Sequence, residues 1–281
     1  MSERHSPVRG RIGAKPTAAQ SARRTNFFDI PQIPPRTGRW RRLHRLKIES
    51  TLDCAAEVER RALRGTWTPC AECQEVATRP SGGLILGACT GPVCPYKSRR
   101  FRGWSYVQTA AIRHSRPGPH KIYTVLLRFV PAGDLDRIEP RSVKDQLRIL
   151  LSRCGFNGSI IVGGLEAGYD FQRAGWHLHF HLGVFGATIE ARRELSNRLK
   201  RRGQRALKVQ SLRDPARQLS YLIKFLTLHR PGAQFGKHRK RAVPMPQPAL
   251  RELLAWWQRH EFQDFLFLYG CRRRGSRIEA L

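Results

Sequence analysis

Histidine and large apolar residues alternate strictly along the segment Gly175–Phe185, whose sequence is GWHLHFHLGVF. Side chains of a β-strand point alternately to its two faces, so a strand is the structure in which this pattern separates cleanly. One face then carries the imidazoles of His177, His179 and His181. The other face carries the apolar side chains of Leu178, Phe180 and Leu182, which are expected to pack in the hydrophobic core. The pattern predicts a strand that packs on one side and presents a row of metal-ligand side chains on the other.

A glutamate, Glu166, precedes this strand within Gly158–Gly168, a segment that is itself typical of a strand. The residues Tyr169–Gly175 suit a turn, so we expect a hairpin that brings Glu166 beside the histidines. A carboxylate together with imidazoles, with coordination positions left open, suits Mg²⁺ or Mn²⁺ acting on a phosphate. We therefore predict a divalent metal site formed by Glu166, His177, His179 and His181. The alternative is a histidine-rich surface strand that binds nothing.

The rest of the chain predicts an α+β fold with a largely antiparallel sheet, because strands and helices do not alternate regularly. The other expected strands are Lys121–Val130 and Ala206–Leu212. The expected helices are Ser50–Arg64, Ser142–Cys154, Glu190–Arg202, a helix capped by Asp214 that extends to about Leu228, and Pro248–His260.

A tyrosine and a lysine lie one turn apart on the expected helix after Asp214, in the sequence ARQLSYLIKFLTL. At 100° per residue, one face of this helix is apolar and must pack; it consists of Leu219, Leu222, Ile223 and Leu226. The opposite face carries Arg217, Tyr221 and Lys224. Tyr221 and Lys224 are three residues apart, so their side chains are neighbours.

The histidine strand, the acid before it and the later Tyr-x-x-Lys motif together resemble the HUH endonucleases, and most closely the initiators of small rolling-circle plasmids. The resemblance covers roughly residues 70–230, and the strand sequence YTVLLRFV stands where the first motif of that family belongs. It implies an HUH-type central antiparallel sheet flanked by helices. It also implies that Tyr221 is the nucleophile that forms a 5′-phosphotyrosine, that Lys224 assists it, and that the protein is bacterial and cytoplasmic.

The tyrosine motif departs from that family at one position. Many plasmid initiators carry a glutamate one helical turn before the tyrosine, which activates water to end replication, whereas this chain has Arg217. A second nearby tyrosine on the same helix is also absent, which counts against the two-tyrosine transposases and relaxases. The way in which such a reaction would terminate is therefore left open by the sequence.

The formal net charge of +31 at pH 7 indicates a polyanionic partner, since self-repulsion of this size is costly. Phosphate contacts release counterions, so the charge predicts a nucleic-acid partner, and the resemblance implies that this partner is single-stranded DNA and origin duplex DNA. The basic run Gln234–Arg241 is a candidate contact, and Trp104 and Tyr106 are expected to pack in the core rather than stack on bases. The sequence has no Gly-rich phosphate-binding loop, so we expect a separate helicase as well as a polymerase. No membrane-spanning segment or signal peptide is expected.

Two cysteine pairs in a loop-rich segment, Pro69–Arg102, predict a structural Zn²⁺ site formed by Cys70, Cys73, Cys89 and Cys94. The alternative is a loop with four reduced thiols. The expected organisation is a disordered basic arm over residues 1–45, a helix and cysteine-rich module over 46–115, a nuclease domain over 116–230, and a basic loop with a last helix over 231–281.

The function predicted on this basis is sequence-specific nicking and joining of single-stranded DNA that initiates rolling-circle plasmid replication. The alternatives are a single-tyrosine transposase or relaxase of the same chemistry, and a non-catalytic zinc-containing DNA-binding protein.

Overall fold

The computed structural model describes residues 91–116, 118–200, 206–225, 227–229 and 243–281. Several predictions from the sequence concern residues outside these ranges. They are the basic arm, the helix Ser50–Arg64, the cysteines Cys70, Cys73 and Cys89, and the basic run Gln234–Arg241.

A five-stranded antiparallel sheet has the histidine strand at its centre. In chain order the strands are β1 (His120–Pro131), β2 (Ile160–Asp170), β3 (Gly175–Phe185), β4 (Leu207–Ser211), β5 (Leu228–His229), β6 (Val243–Pro244), β7 (Leu266–Tyr269), β8 (Cys271–Arg274) and β9 (Arg277–Ala280). The large sheet has the order β4-β1-β3-β2-β7, while β5 with β6 and β8 with β9 form separate two-stranded ribbons. The predicted hairpin of β2 and β3 and the α+β class are confirmed.

Helices flank this sheet in the described part of the chain: α1 (Pro95–Ser115), α2 (Pro140–Arg153), α3 (Ile189–Arg198), α4 (Pro215–Leu219), α5 (Gln247–Gln258) and α6 (Phe262–Phe265). The buried face of α5 consists of Ala249, Leu250, Leu253, Leu254, Trp256 and Trp257. Among the helices of the described ranges, none combines the length and the apolar character needed to cross a membrane.

Helix α1 begins inside the segment that the sequence predicted to be loop-rich, so that prediction is wrong from Pro95 onward. Pro95 occupies a first-turn position that suits proline, and the Cys94 side chain accepts a hydrogen bond from the Lys97 backbone N–H at 3.4 Å. Phe101 and Trp104 on this helix are fully buried, which confirms the core position expected for Trp104. Cys94, proposed from the sequence as a zinc ligand, is also fully buried.

The tyrosine segment is helical only over α4, from Pro215 to Leu219, and not as far as Leu228 as the periodicity predicted. Asp214 caps this short helix as expected, since its Oδ1 accepts a hydrogen bond from the Arg217 N–H at 3.1 Å. The backbone of Leu222 and Ile223 then lies directly on the sheet at Gly164, where a Cβ atom would stand 3.0 Å from the Leu222 carbonyl oxygen. Only glycine at position 164 leaves room for an approach this close.

We expect Gly164→Ala to lower the free energy of unfolding by about 1–3 kcal/mol, because the added methyl group collides with backbone that cannot move freely. Urea denaturation measures this loss. Gly183→Ala is the matched control, since the atom nearest to its Cβ is the flexible end of the Leu222 side chain, at 3.0 Å. Equal losses in the two variants would contradict the special role of the close approach at Gly164.

Candidate active site

The pairing of β2 with β3 places Glu166 directly opposite His179. Glu166, His179 and His181 form a cluster that could hold a metal ion, with one ligand atom from each lying within 4.8 Å of the others. Glu166 Oε2 is 3.2 Å from His181 Nε2 and 3.5 Å from His179 Nε2. Two ligands at right angles, each about 2.1 Å from one ion, stand roughly 3.0 Å apart, so these separations suit a shared divalent cation.

Both imidazoles in this cluster face Glu166 with Nε2, and a polar partner at Nδ1 orients each ring. His179 Nδ1 lies 3.1 Å from the backbone carbonyl oxygen of His177, which can only accept, so Nδ1 carries the proton and Nε2 presents a lone pair. His181 Nδ1 lies 3.1 Å from Thr124 Oγ1, on the neighbouring strand β1. Partners of this kind fix the ring orientation of metal-binding histidines in proteins generally.

The buried atoms of the cluster fit a cation better than they fit one another. Glu166 Oε2 and His181 Nε2 are both buried and lie 3.2 Å apart, and His181 Nε2 has no hydrogen-bond partner of good geometry. Burial lowers the pKa of His181 to about 4, and the charge of Lys224 contributes in the same direction. His181 is therefore neutral at pH 7, which is the form that binds a metal.

Glu166 also forms a buried ion pair with Lys224, whose Nζ is 3.0 Å from Oε1 and 2.9 Å from Oε2. Burial alone would raise the pKa of the Glu166 carboxyl. The ammonium of Lys224 and the two histidines outweigh burial and hold that pKa well below its ordinary value. Glu166 is therefore a carboxylate in the folded protein. The sequence predicted Lys224 as a neighbour of Tyr221 on an outward face, whereas it is 8% exposed and reaches the sheet.

His177, the fourth residue predicted as a ligand, lies outside this cluster. Its Nε2 is 2.8 Å from Asp170 Oδ2, and the edge of its ring packs against Phe129. Burial would raise the pKa of Asp170, but hydrogen bonds from His177 and from the backbone N–H groups of Arg173 and Gln172 lower it. A carboxylate can only accept a hydrogen bond, so Nε2 of His177 carries a proton and has no lone pair to offer a metal.

Tyr221 lies against the cluster, with its ring centroid 5.2 Å from that of His181. Lys224 Nζ is 3.9 Å from the centroid of the tyrosine ring, which brings together the two residues that the motif predicted to be neighbours. The tyrosine is 45% exposed, so it is accessible from solvent. Arg102 on α1 donates a hydrogen bond from Nε to the carbonyl oxygen of Ser220 at 2.7 Å. This bond anchors Ser220, the residue that precedes Tyr221.

Three residues that contribute to this arrangement were not found by sequence reasoning: Thr124, Asp170 and Arg102. A signal for Thr124 exists, because it is a small polar residue in the largely apolar segment YTVLLRFV; in the structure it pairs in register with His181. Asp170 lies at the turn of the hairpin and contacts His177, and Arg102 lies on a helix distant in sequence and contacts Ser220. No local sequence pattern predicts either contact.

Comparison of the chain with protein-family models, with curated proteins and with solved structures finds no match. The resemblance to HUH endonucleases therefore rests on the motifs of this chain.

We expect His181→Ala and Glu166→Gln to weaken Mn²⁺ binding by on the order of 100-fold or more, because the loss of residues that only orient ligands already costs about 10- to 100-fold. Calorimetric titration of the chelator-treated protein measures this. His177→Ala is the matched control from the same strand face, and its Mn²⁺ affinity should stay close to that of the wild type. A comparable loss in His177→Ala would restore His177 as a ligand.

We expect Lys224→Met to lower the free energy of unfolding in chelator by about 3 kcal/mol, because it leaves the Glu166 carboxylate buried without a cation. Mn²⁺ should raise the melting temperature of this variant more than that of the wild type, since the ion then neutralises the carboxylate. Lys144→Met is the control: Lys144 is also buried, but its Nζ donates to the backbone carbonyl of Gln263 at 2.8 Å. Equal stabilisation of Lys224→Met and wild type by Mn²⁺ would contradict the shared use of Glu166.

Proposed function

We propose that this protein is a metal-dependent endonuclease that nicks and rejoins single-stranded DNA through a tyrosine and thereby initiates rolling-circle plasmid replication. The observation that carries the proposal is the contact of a half-exposed tyrosine, Tyr221, with His181 of a candidate metal site. An aromatic hydroxyl beside such a site has little structural use, and nucleophilic attack on a phosphate needs this combination.

Glu166, His179 and His181 would hold the ion, for which Mg²⁺ or Mn²⁺ is proposed because one carboxylate and two imidazoles leave positions open for substrate oxygens. When bound, the ion would supply Lewis-acid polarisation of the scissile phosphate. Thr124 and the backbone of His177 would keep the two imidazoles in the orientation that this requires.

The chain itself supplies the nucleophile and a positive charge. The Tyr221 hydroxyl oxygen would form a bond to phosphorus while the bond from phosphorus to the 3′-oxygen breaks, giving a 5′-phosphotyrosine. The phenolic proton would pass to solvent, and the departing 3′-oxygen would take up a proton to become a hydroxyl that a polymerase can extend. The reverse reaction joins strands. The Lys224 ammonium, 3.9 Å from the ring centroid, would attract the negative charge that gathers beside the tyrosine.

DNA is the proposed substrate because the net charge of +31 requires a polyanion and the proposed chemistry acts on a phosphodiester. The resemblance of the motifs to plasmid initiators directs the proposal to replication. A separate helicase and polymerase would then be needed to unwind and extend the DNA.

We expect Tyr221→Phe to reduce nicking and covalent adduct formation to background, because the ring remains and only the nucleophilic oxygen is lost. Its stability should change by less than about 0.5 kcal/mol, since the hydroxyl is on an exposed side chain. A labelled single-stranded origin oligonucleotide with Mn²⁺, analysed on a denaturing gel, measures the adduct. Tyr169→Phe is the control, because Tyr169 packs on Trp176 away from the cluster.

Lys224→Ala should have a smaller effect on nicking than Tyr221→Phe, since it keeps the nucleophilic oxygen and removes only the charge beside the tyrosine ring. The assignment of Tyr221 would be overturned by an adduct formed at the wild-type rate in Tyr221→Phe. Peptide mapping that places the wild-type adduct on another tyrosine would overturn it as well.

A further inference from the structure

The ribbon of β8 and β9 presents an arginine-rich face that the proposed chemistry does not use. The segment 271–281 has the sequence CRRRGSRIEAL, with four arginines and one glutamate. Its strands pair in the register Arg272↔Glu279, Arg273↔Ile278 and Arg274↔Arg277. Gly275, at φ +58°, begins a two-residue Gly-Ser turn of the kind that fits the twist of a tight hairpin.

One face of this ribbon is anchored to the protein. Ile278 is 8% exposed, and its backbone N–H donates to the Gln108 side chain of α1 at 3.2 Å. Trp104 of α1 donates from its indole nitrogen to the Ser276 carbonyl at 2.6 Å, and the Arg273 guanidinium lies 4.9 Å from the centroid of the Trp104 ring. The ribbon is therefore held in a fixed position.

The opposite face carries the exposed Arg272, Arg274 and Arg277 and one half-buried acid, Glu279, which stands across from Arg272. Arg274 and Arg277 stand directly across from each other, an arrangement of like charges that destabilises a hairpin. The ion pair of Arg274 with Glu279 is 4.0 Å long between side chains that are 75% and 42% exposed, and therefore offsets little of this repulsion. Within the described ranges no other carboxylate pairs with the arginines of this face. A face that is repulsive by itself and rigidly held is suited to a polyanion.

We propose that the outer face of this ribbon binds duplex DNA, with Arg272, Arg274 and Arg277 contacting phosphates. A two-stranded antiparallel ribbon has the width that the major groove of B-DNA admits, whereas a flexible single strand needs no such rigid shape. This role of the ribbon rests on the proposed function, which makes DNA the substrate of the protein. It assigns the duplex to a surface separate from the active site.

Helix α1 connects this surface with the nucleophile. Arg102 contacts the backbone beside Tyr221, and Trp104, two residues later, contacts the ribbon turn. Residues two apart on a helix point to nearly opposite sides, so the ribbon and the tyrosine segment are separated by about one helix diameter, roughly 10–12 Å. Duplex DNA on the ribbon would lie beside the active site, where a strand leaving the duplex can enter it.

The test compares Arg274→Gln/Arg277→Gln with Arg141→Gln/Arg153→Gln in the full-length chain, by fluorescence anisotropy with a labelled 20-base-pair DNA duplex and with one of its strands. Arg141 and Arg153 are exposed residues of α2, so the control pair removes the same charge elsewhere. The ribbon variant should bind the duplex on the order of tenfold more weakly, with a salt slope smaller by about two. Its affinity for the single strand and its nicking of a single-stranded oligonucleotide should match the wild type.

Thermal melting should show no loss of stability in the ribbon variant, because it removes a repulsive pair. The proposal is overturned if the control pair weakens duplex binding equally, if single-strand binding falls as much as duplex binding, or if only binding to anionic lipid vesicles is reduced. If the wild-type protein does not nick DNA, and of the two variants only the ribbon variant binds the duplex more weakly, the proposed function is overturned and the duplex-binding role of the ribbon is supported. Normal nicking with unchanged duplex affinity in the ribbon variant would overturn the ribbon alone.

Discussion

The buried carboxylate of Glu166 is the interaction on which the site depends. A charged group in this position requires cationic or hydrogen-bonding partners, and the fold supplies them from two directions. His179 and His181 come from the neighbouring strand, and Lys224 comes from the segment that follows α4. The same carboxylate thus joins the sheet to the tyrosine segment. A divalent ion would compete with Lys224 for this carboxylate, so metal binding and the position of the tyrosine segment are physically coupled.

The central hairpin could be predicted from sequence because its signal is local. The alternation in GWHLHFHLGVF determines which side chains share a face, and a short turn determines that Glu166 meets His179. The apolar residues of the tyrosine segment were also predicted correctly, since Leu219, Leu222 and Ile223 are buried. The helical conformation predicted for Leu222 and Ile223 was wrong, and their backbone lies close to Gly164 in a long-range contact that periodicity does not record. Long-range packing overrides local preference there.

The prediction that His177 is a metal ligand shows how much can be inferred from histidines that share one face of a strand. Alternation predicts that three imidazoles point to one side, but it does not say what each meets across the sheet. Gly168 lies opposite His177, and Asp170, two residues further along, accepts a hydrogen bond from His177 Nε2. Glu166, in contrast, lies opposite His179 and reaches His181 as well. A list of ligands therefore needs the register and the position of every carboxylate near the strand, which the sequence alone gives only in part.

The proton on His177 also matters for the chemistry that the cluster can support. With His177 hydrogen-bonded to Asp170, the protein offers three ligand side chains from this strand pair, and an ion with octahedral preference keeps positions open for phosphate oxygens and water. A fourth protein ligand would close one of them. The exposed side of Tyr221 adjoins the same cluster through His181, while Arg102 and the Gly164 approach hold the backbone on either side of the tyrosine. The backbone on both sides of Tyr221 is therefore held by packing and hydrogen bonding, while its ring is exposed to solvent beside His181.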